Sequence, residues 1–165
     1  MDTRMSWRLI SQNFPRAMGR SGIILCLVIV SAVSLEGVAQ ESGDAAASLR
    51  AAAEQGDSSA QYSLGVAYAT GEGVAQDYVA AVRWFRAAAE QGNAEAQYNL
   101  GLMYLEGLGV TQDNVEAYAW IRTAAAQGRS GTLEIRAALL REMTPSQADR
   151  AIELAREYRE KYVTR

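Results

Sequence analysis

The chain has 165 residues, 16 of them basic and 19 acidic, for a net charge of −3. That length holds one domain with a moderate core, and a chain rich in Ala with only two Phe and two Pro favours helices packed through small side chains over a sheet. The lack of any histidine removes the commonest metal ligand and the commonest general base, and an acidic chain with singly scattered basic residues has no electrostatic footprint for nucleic acid.

The first 39 residues read as a leader. Arg4, Arg8, Arg16 and Arg20 stand against Asp2 alone, an apolar run extends from Ile23 to Leu35, and Gly37 and Ala39 place small residues before a cut after Ala39. This is the pattern of a secretory signal peptide. The apolar run has about thirteen residues against the roughly 20 that a spanning helix needs. The alternative is an uncleaved anchor in the inner membrane, the one membrane contact that the sequence offers. No twin-Arg pair is present, so the expected route is the general secretory one, to the periplasm or beyond. The single cysteine, Cys26, leaves with the leader, so the mature chain forms no disulfide. Mature residues number 12 basic and 17 acidic, a net charge of about −5.

Residues 40–55 follow as a polar tether, Gln40 to Asp44, and a short helix. Gln55-Gly56, Gln91-Gly92 and Gln127-Gly128 then recur at a spacing of 36 residues, and residues 56–91 laid over 92–127 agree at 19 of 36 positions without a gap. A fixed period of this size means stacked supersecondary units. In each unit a first helix opens after Asp57 or Asn93, whose side chains cap it, and carries the stripe Ala60, Leu64, Tyr68 or Ala96, Leu100, Tyr104. Gly65 and Gly101 sit inside these helices at a cost of about 1 kcal/mol against Ala, which points to a close approach by the second helix. Gly71-Glu72-Gly73-Val74 and Gly107-Leu108-Gly109-Val110 make the turn. Asp77 and Asp113 cap the second helix, with Glu116 expected to complete a capping box. Ala81, Trp84, Ala88 and Ala117, Trp120, Ala124 then lie on one face, which puts both tryptophans in the core. Tyr62 and Tyr98 are expected to pack between units.

Residues 128–165 read as capping helices. Thr132 to Met143 predicts a helix with Leu133, Ala137 and Leu140 inward. Thr144-Pro145-Ser146-Gln147 starts another that runs to about Tyr162, with Ala148, Ile152 and Ala155 inward and charges on its outer face.

The pattern A-x-Y-x-L-G-x-x-Y-x-x-G-x-G-V-x-x-D, continuing to A-x-x-W and closing on A-A-x-Q-G, resembles the Sel-1-like repeat, a relative of the tetratricopeptide repeat. The resemblance covers both full copies, and 44–55 looks like the second helix of a degenerate leading copy. It implies an all-α, right-handed α-solenoid of stacked antiparallel helix pairs that serves as an adaptor for other proteins. Some exported members have envelope or peptidoglycan-related roles.

Chemistry has little to work with. The mature chain has no thiol and no histidine, its recurrent acids Asp77 and Asp113 are explained by capping, and Gly-x-Gly follows a helix rather than the strand a phosphate loop requires. No catalytic residue, cofactor or metal is expected. Binding is the remaining function: a protein or peptide partner held on the concave face, which the first helices line in solenoids of the tetratricopeptide type. The positions that drift there are Ser63, Ala67, Thr70 and, one unit on, Asn99, Met103, Glu106. Met103 is expected to be an adaptable apolar contact. The competing reading is a protein that recognises peptidoglycan fragments. Two and a half units lie near the lower limit of about three for a self-sufficient solenoid, so a homodimer is an open expectation.

Overall fold

The computed structural model describes residues 47–163. The leader, its cut site, Cys26 and the tether lie outside the described residues. Within them the fold is all-α: seven helices packed in chain order as stacked pairs. These are α1 (47–54), α2 (Ser58–Thr70), α3 (Tyr78–Glu90), α4 (Ala94–Glu106), α5 (Asn114–Ala126), α6 (Leu133–Glu142) and α7 (Pro145–Tyr162).

The two repeat units are the hairpins α2–α3 and α4–α5, and α4 packs on α3 to join them. Asp57 and Asn93 accept from the Ala60 and Ala96 amides, and Asp77 and Asp113 each take two amides of the helix that follows. Each such cap contributes about 1 kcal/mol. The mid-helix glycines do what their repetition implies. A Cβ on Gly65 would lie 2.6 Å from the Phe85 ring, and one on Gly101 would lie 2.5 Å from Ile121 Cγ1 and 3.1 Å from the Ala117 carbonyl oxygen. The turns are closed by a second recurrent set. Gln76 and Gln112 donate from Nε2 to the Ala69 and Leu105 carbonyls at 2.8 Å, satisfying acceptors at the ends of α2 and α4.

Polar side chains also tie unit to unit. Gln61 and Gln97 are buried in otherwise apolar surroundings. Gln61 Nε2 donates to the Ala53 carbonyl of α1 at 3.1 Å, and its Oε1 accepts from Gln91 Nε2 at 2.7 Å. One unit on, Gln97 donates to the Ala89 carbonyl at 3.0 Å and accepts from Gln127 at 2.8 Å. Buried amides are tolerated only when satisfied in this way. The next rung would fall on Leu133, which is 67% exposed, so the ladder ends there.

The C-terminal region departs from the repeat. Ile135 and Leu139 are the buried residues of α6, whereas Leu133 is exposed and Ala137 and Leu140 are half-buried. On α7 the buried pair is Ala151 and Ala155, flanked by half-buried Leu154, Tyr158 and Tyr162. Ile152, expected inward, is 41% exposed. Of the inward set, Ala155 is buried and Ala148 half-buried as the stripe implied, and only Ile152 is displaced, because alanine at 148, 151 and 155 fits two registers. The predicted start of α7 holds: Thr144 and Gln147 form a reciprocal capping box with Pro145 in the first turn.

It is α7, rather than α6, that lies along α5. As a result α5 is buried on nearly every side. Val115 is 9% exposed while its counterpart Val79 is 60% exposed, and Ala119 and Thr123 are closed where Arg83 is open and Ala87 half-open. Trp120 is buried, with its ring stacked against Tyr162 and tilted on Tyr158. Trp84 has the same inner neighbours one unit back, Leu49, Ala53, Ala60 and Leu64, but remains half-buried. The expectation of two core tryptophans therefore holds for Trp120 and is corrected for Trp84.

Glu116 is also corrected. Its predicted partner, the Asp113 amide, is taken by the Tyr104 carbonyl at 3.0 Å. The Glu116 carboxylate instead accepts from the Tyr158 hydroxyl at 3.0 Å.

Candidate functional site

The residues proposed to meet a partner lie on α2 and α4, and the structure sorts them. Ser63 is exposed, and its hydroxyl donates back to the Ser59 carbonyl at 2.9 Å. Ala67 is half-buried. Thr70 is half-buried as well, bonding the Val66 carbonyl at 3.0 Å. Asn99 and Glu106 are half-buried. Met103 is a correction: it is 6% exposed and packs with Ala69, Ala81, Phe85 and Trp120, so it belongs to the core. Its counterpart Ala67 is half-buried, and the difference between the copies imitated surface drift.

Glu95 and Asn99 of α4 and Arg129 lie close enough to Tyr62 of α2 to shift its phenol. Burial holds the Tyr62 phenol above its ordinary value, with a further push from Glu95, while Asn99 and Arg129 pull it back. Arg129 lies 4.3 Å above the Tyr98 ring, and its Nε is 2.8 Å from a Glu95 carboxylate oxygen. The pair is ionic, since the Nε–H is not directed along a hydrogen-bond line. Tyr98 itself is 1% exposed and packs in the cluster that the second unit forms with α6 and α7, rather than between the two repeats.

Sequence reasoning missed Arg129. It stands where Asp57 and Asn93 cap the first helices of the full units. With an arginine there, α6 starts later, behind Thr132 and without a side-chain cap. The released arginine folds back onto Tyr98. The break in the cap position was the available signal.

On the second helices, Arg50 donates to the Tyr68 hydroxyl at 3.2 Å, and Arg86 likewise to Tyr104. These cations are spent on fixing tyrosines. Among the described residues no group of three or more His, Cys, Asp or Glu side chains could hold a metal, and no helix is long and apolar enough to cross a membrane.

The Sel1 repeat model matches residues 58–93 and 94–128, the two hairpins. The chain belongs to the Sel1 repeat family. Among solved structures it is similar to a protective antigen present in uropathogenic Escherichia coli strains that displays an SLR fold. The identity is 40% over 72% of this chain and 26% of that one, with a TM-score of 0.69. It is also similar to a Sel1 repeat protein from Oxalobacter formigenes, at 44% identity over 55% of this chain and 26% of that one, with a TM-score of 0.54. The matched part is thus about a quarter of either protein's length. No curated protein matches the sequence significantly. The Sel1 units account for the glycines, caps and turn residues described above.

Proposed function

We propose that this Sel1 repeat chain is a non-catalytic adaptor of the cell envelope that holds a peptide or protein on the first-helix face of its solenoid. One observation carries the reading. Helix α7 closes the second-helix side of the second unit by packing on α5, whereas the first helices carry Ser63 exposed and Ala67, Thr70, Asn99 and Glu106 half-buried, a set that recurs in both full units. The residues shared by the two copies are consumed by packing, capping and the glutamine ladder, which leaves recognition to Ser63, Ala67, Thr70, Asn99 and Glu106. The basic start, short apolar run and small-residue cut site support export by the general secretory route.

Photo-crosslinking tests the face. A crosslinking residue at Ser63 or Ala67 should trap one partner in envelope extract, and the same residue at Arg83 should not. Equal capture from all three positions refutes the assignment of the face. The intact mass of periplasmic protein tests the leader, since a mature species starting at Gln40 is expected.

A further inference from the structure

Outside the repeat, α7 reaches both full units. Its body lies along α5 of the second unit, through Ala151 and Ala155, both buried against the α5 core. Its C-terminal end reaches the junction between the units: a Cβ on Gly92 would lie 2.7 Å from the Tyr162 carbonyl oxygen. Tyr162 and Val163 line a shallow hollow with Glu90, Gln91 and Gly92, where α3 ends and the second unit begins.

Between these contacts sits Trp120. It belongs to the second unit but packs in a cluster with Ala81, Phe85 and Ala88 of the first, and Tyr158 and Tyr162 pack against the same cluster. Glu116 anchors the arrangement by accepting from Tyr158. The Gly56 junction provides an internal contrast. Gly56 and Gly92 have the same left-handed backbone, φ 96° and 89°, yet among the described residues nothing lies within 4 Å of a Cβ built on Gly56.

Solenoid curvature is the sum of small rotations between neighbouring units, each unit contacting only its neighbours. A helix fixed to one unit and pressed on the junction with the previous one opposes that rotation. We infer that α7 is a strap that sets the angle between the two full units, with Tyr158–Glu116 and Tyr162 at Gly92 as its two fastenings. The face formed by α2 and α4 is then held at one curvature from the far side of the stack. The strap follows from packing alone and is independent of whether that face binds a partner.

The test is a spin-label distance measurement on the full chain, with nitroxides on cysteines at Ser59 and Thr111, both exposed and one in each unit, in a Cys26→Ser background. Glu116→Ala and Tyr162→Ala should each roughly double the width of the distance distribution. Arg150→Ala, on the exposed side of α7, should leave it unchanged. If Tyr162→Ala fails to fold, Tyr158→Phe keeps the ring and loses only the hydroxyl, and it should still broaden the distribution. An unchanged width in Glu116→Ala and Tyr158→Phe, with α7 helical by circular dichroism, overturns the strap. Equal broadening in Arg150→Ala also overturns it.

Discussion

Gly101→Ala offers a direct measure of how closely α4 and α5 approach. Helix propensity alone favours alanine over a mid-helix glycine by about 1 kcal/mol. Against this, the new methyl carbon would fall 2.5 Å from Ile121 Cγ1, 3.1 Å from the Ala117 carbonyl oxygen and 3.2 Å from the Ile121 amide nitrogen. Two of those three atoms are backbone in the middle of α5, and Ile121 is fully buried, so no rotamer change relieves the contact. The helices must separate by about 1 Å, and overpacking of this kind costs roughly 1–3 kcal/mol, at the upper end where backbone must move. The expected net loss is about 2 kcal/mol, a fall in Tm of around 8 °C for a domain near 120 residues. Urea unfolding followed by tryptophan fluorescence and far-ultraviolet circular dichroism measures it. Gly65→Ala should lose less, because its Cβ meets only ring atoms of Phe85. A Gly101→Ala protein as stable as wild type would refute the close-approach reading, and one more stable would show that propensity prevails.

Gln97→Leu should destabilise by about 1–2 kcal/mol in urea unfolding, below the full cost of orphaned groups because the Ala89 carbonyl keeps its bond from the Gly92 amide and Gln127 reaches solvent. Met103→Ala should cost about 2–3 kcal/mol, as a cavity does, and a stability-neutral result would return Met103 to the surface. The Tyr158 phenol is driven well above its ordinary value near 10, first by burial, then by the Glu116 charge and the hydrogen bond to it. Its folded value exceeds its unfolded one, so this contribution is complete below pH 10 and is lost as pH rises further. Wild type should therefore lose stability relative to Tyr158→Phe above pH 10, and parallel curves would contradict the buried Tyr158–Glu116 pair.

Most of the repeat was legible in the sequence because its signals are local or periodic. Asp57, Asp77, Asn93 and Asp113 mark helix starts by capping chemistry, and Gly65 and Gly101 mark close approach because no other pressure keeps a glycine inside a helix. The buried role of Gln61 and Gln97 was within reach too, as a recurrent amide inside an apolar stripe, but its acceptors come from other helices. The seat of α7 was not legible. It is built from exchanges between the copies, Arg83 to Ala119 and Glu90 to Ala126, that read as neutral drift until a helix is laid across them. The candidate face suffered from the same ambiguity in reverse, since Met103 differs from Ala67 for the sake of the core.

The glutamine ladder has one more consequence. Each rung reaches back eight residues to one helix end and is met from thirty residues ahead, so its register survives only when the chain grows or shrinks by whole units. Duplication of a complete 36-residue segment inserts one rung and breaks none, whereas a partial insertion strands two amides in the core. Length is thus adjustable in quanta, and a single position, occupied here by Leu133, decides whether counting continues or stops.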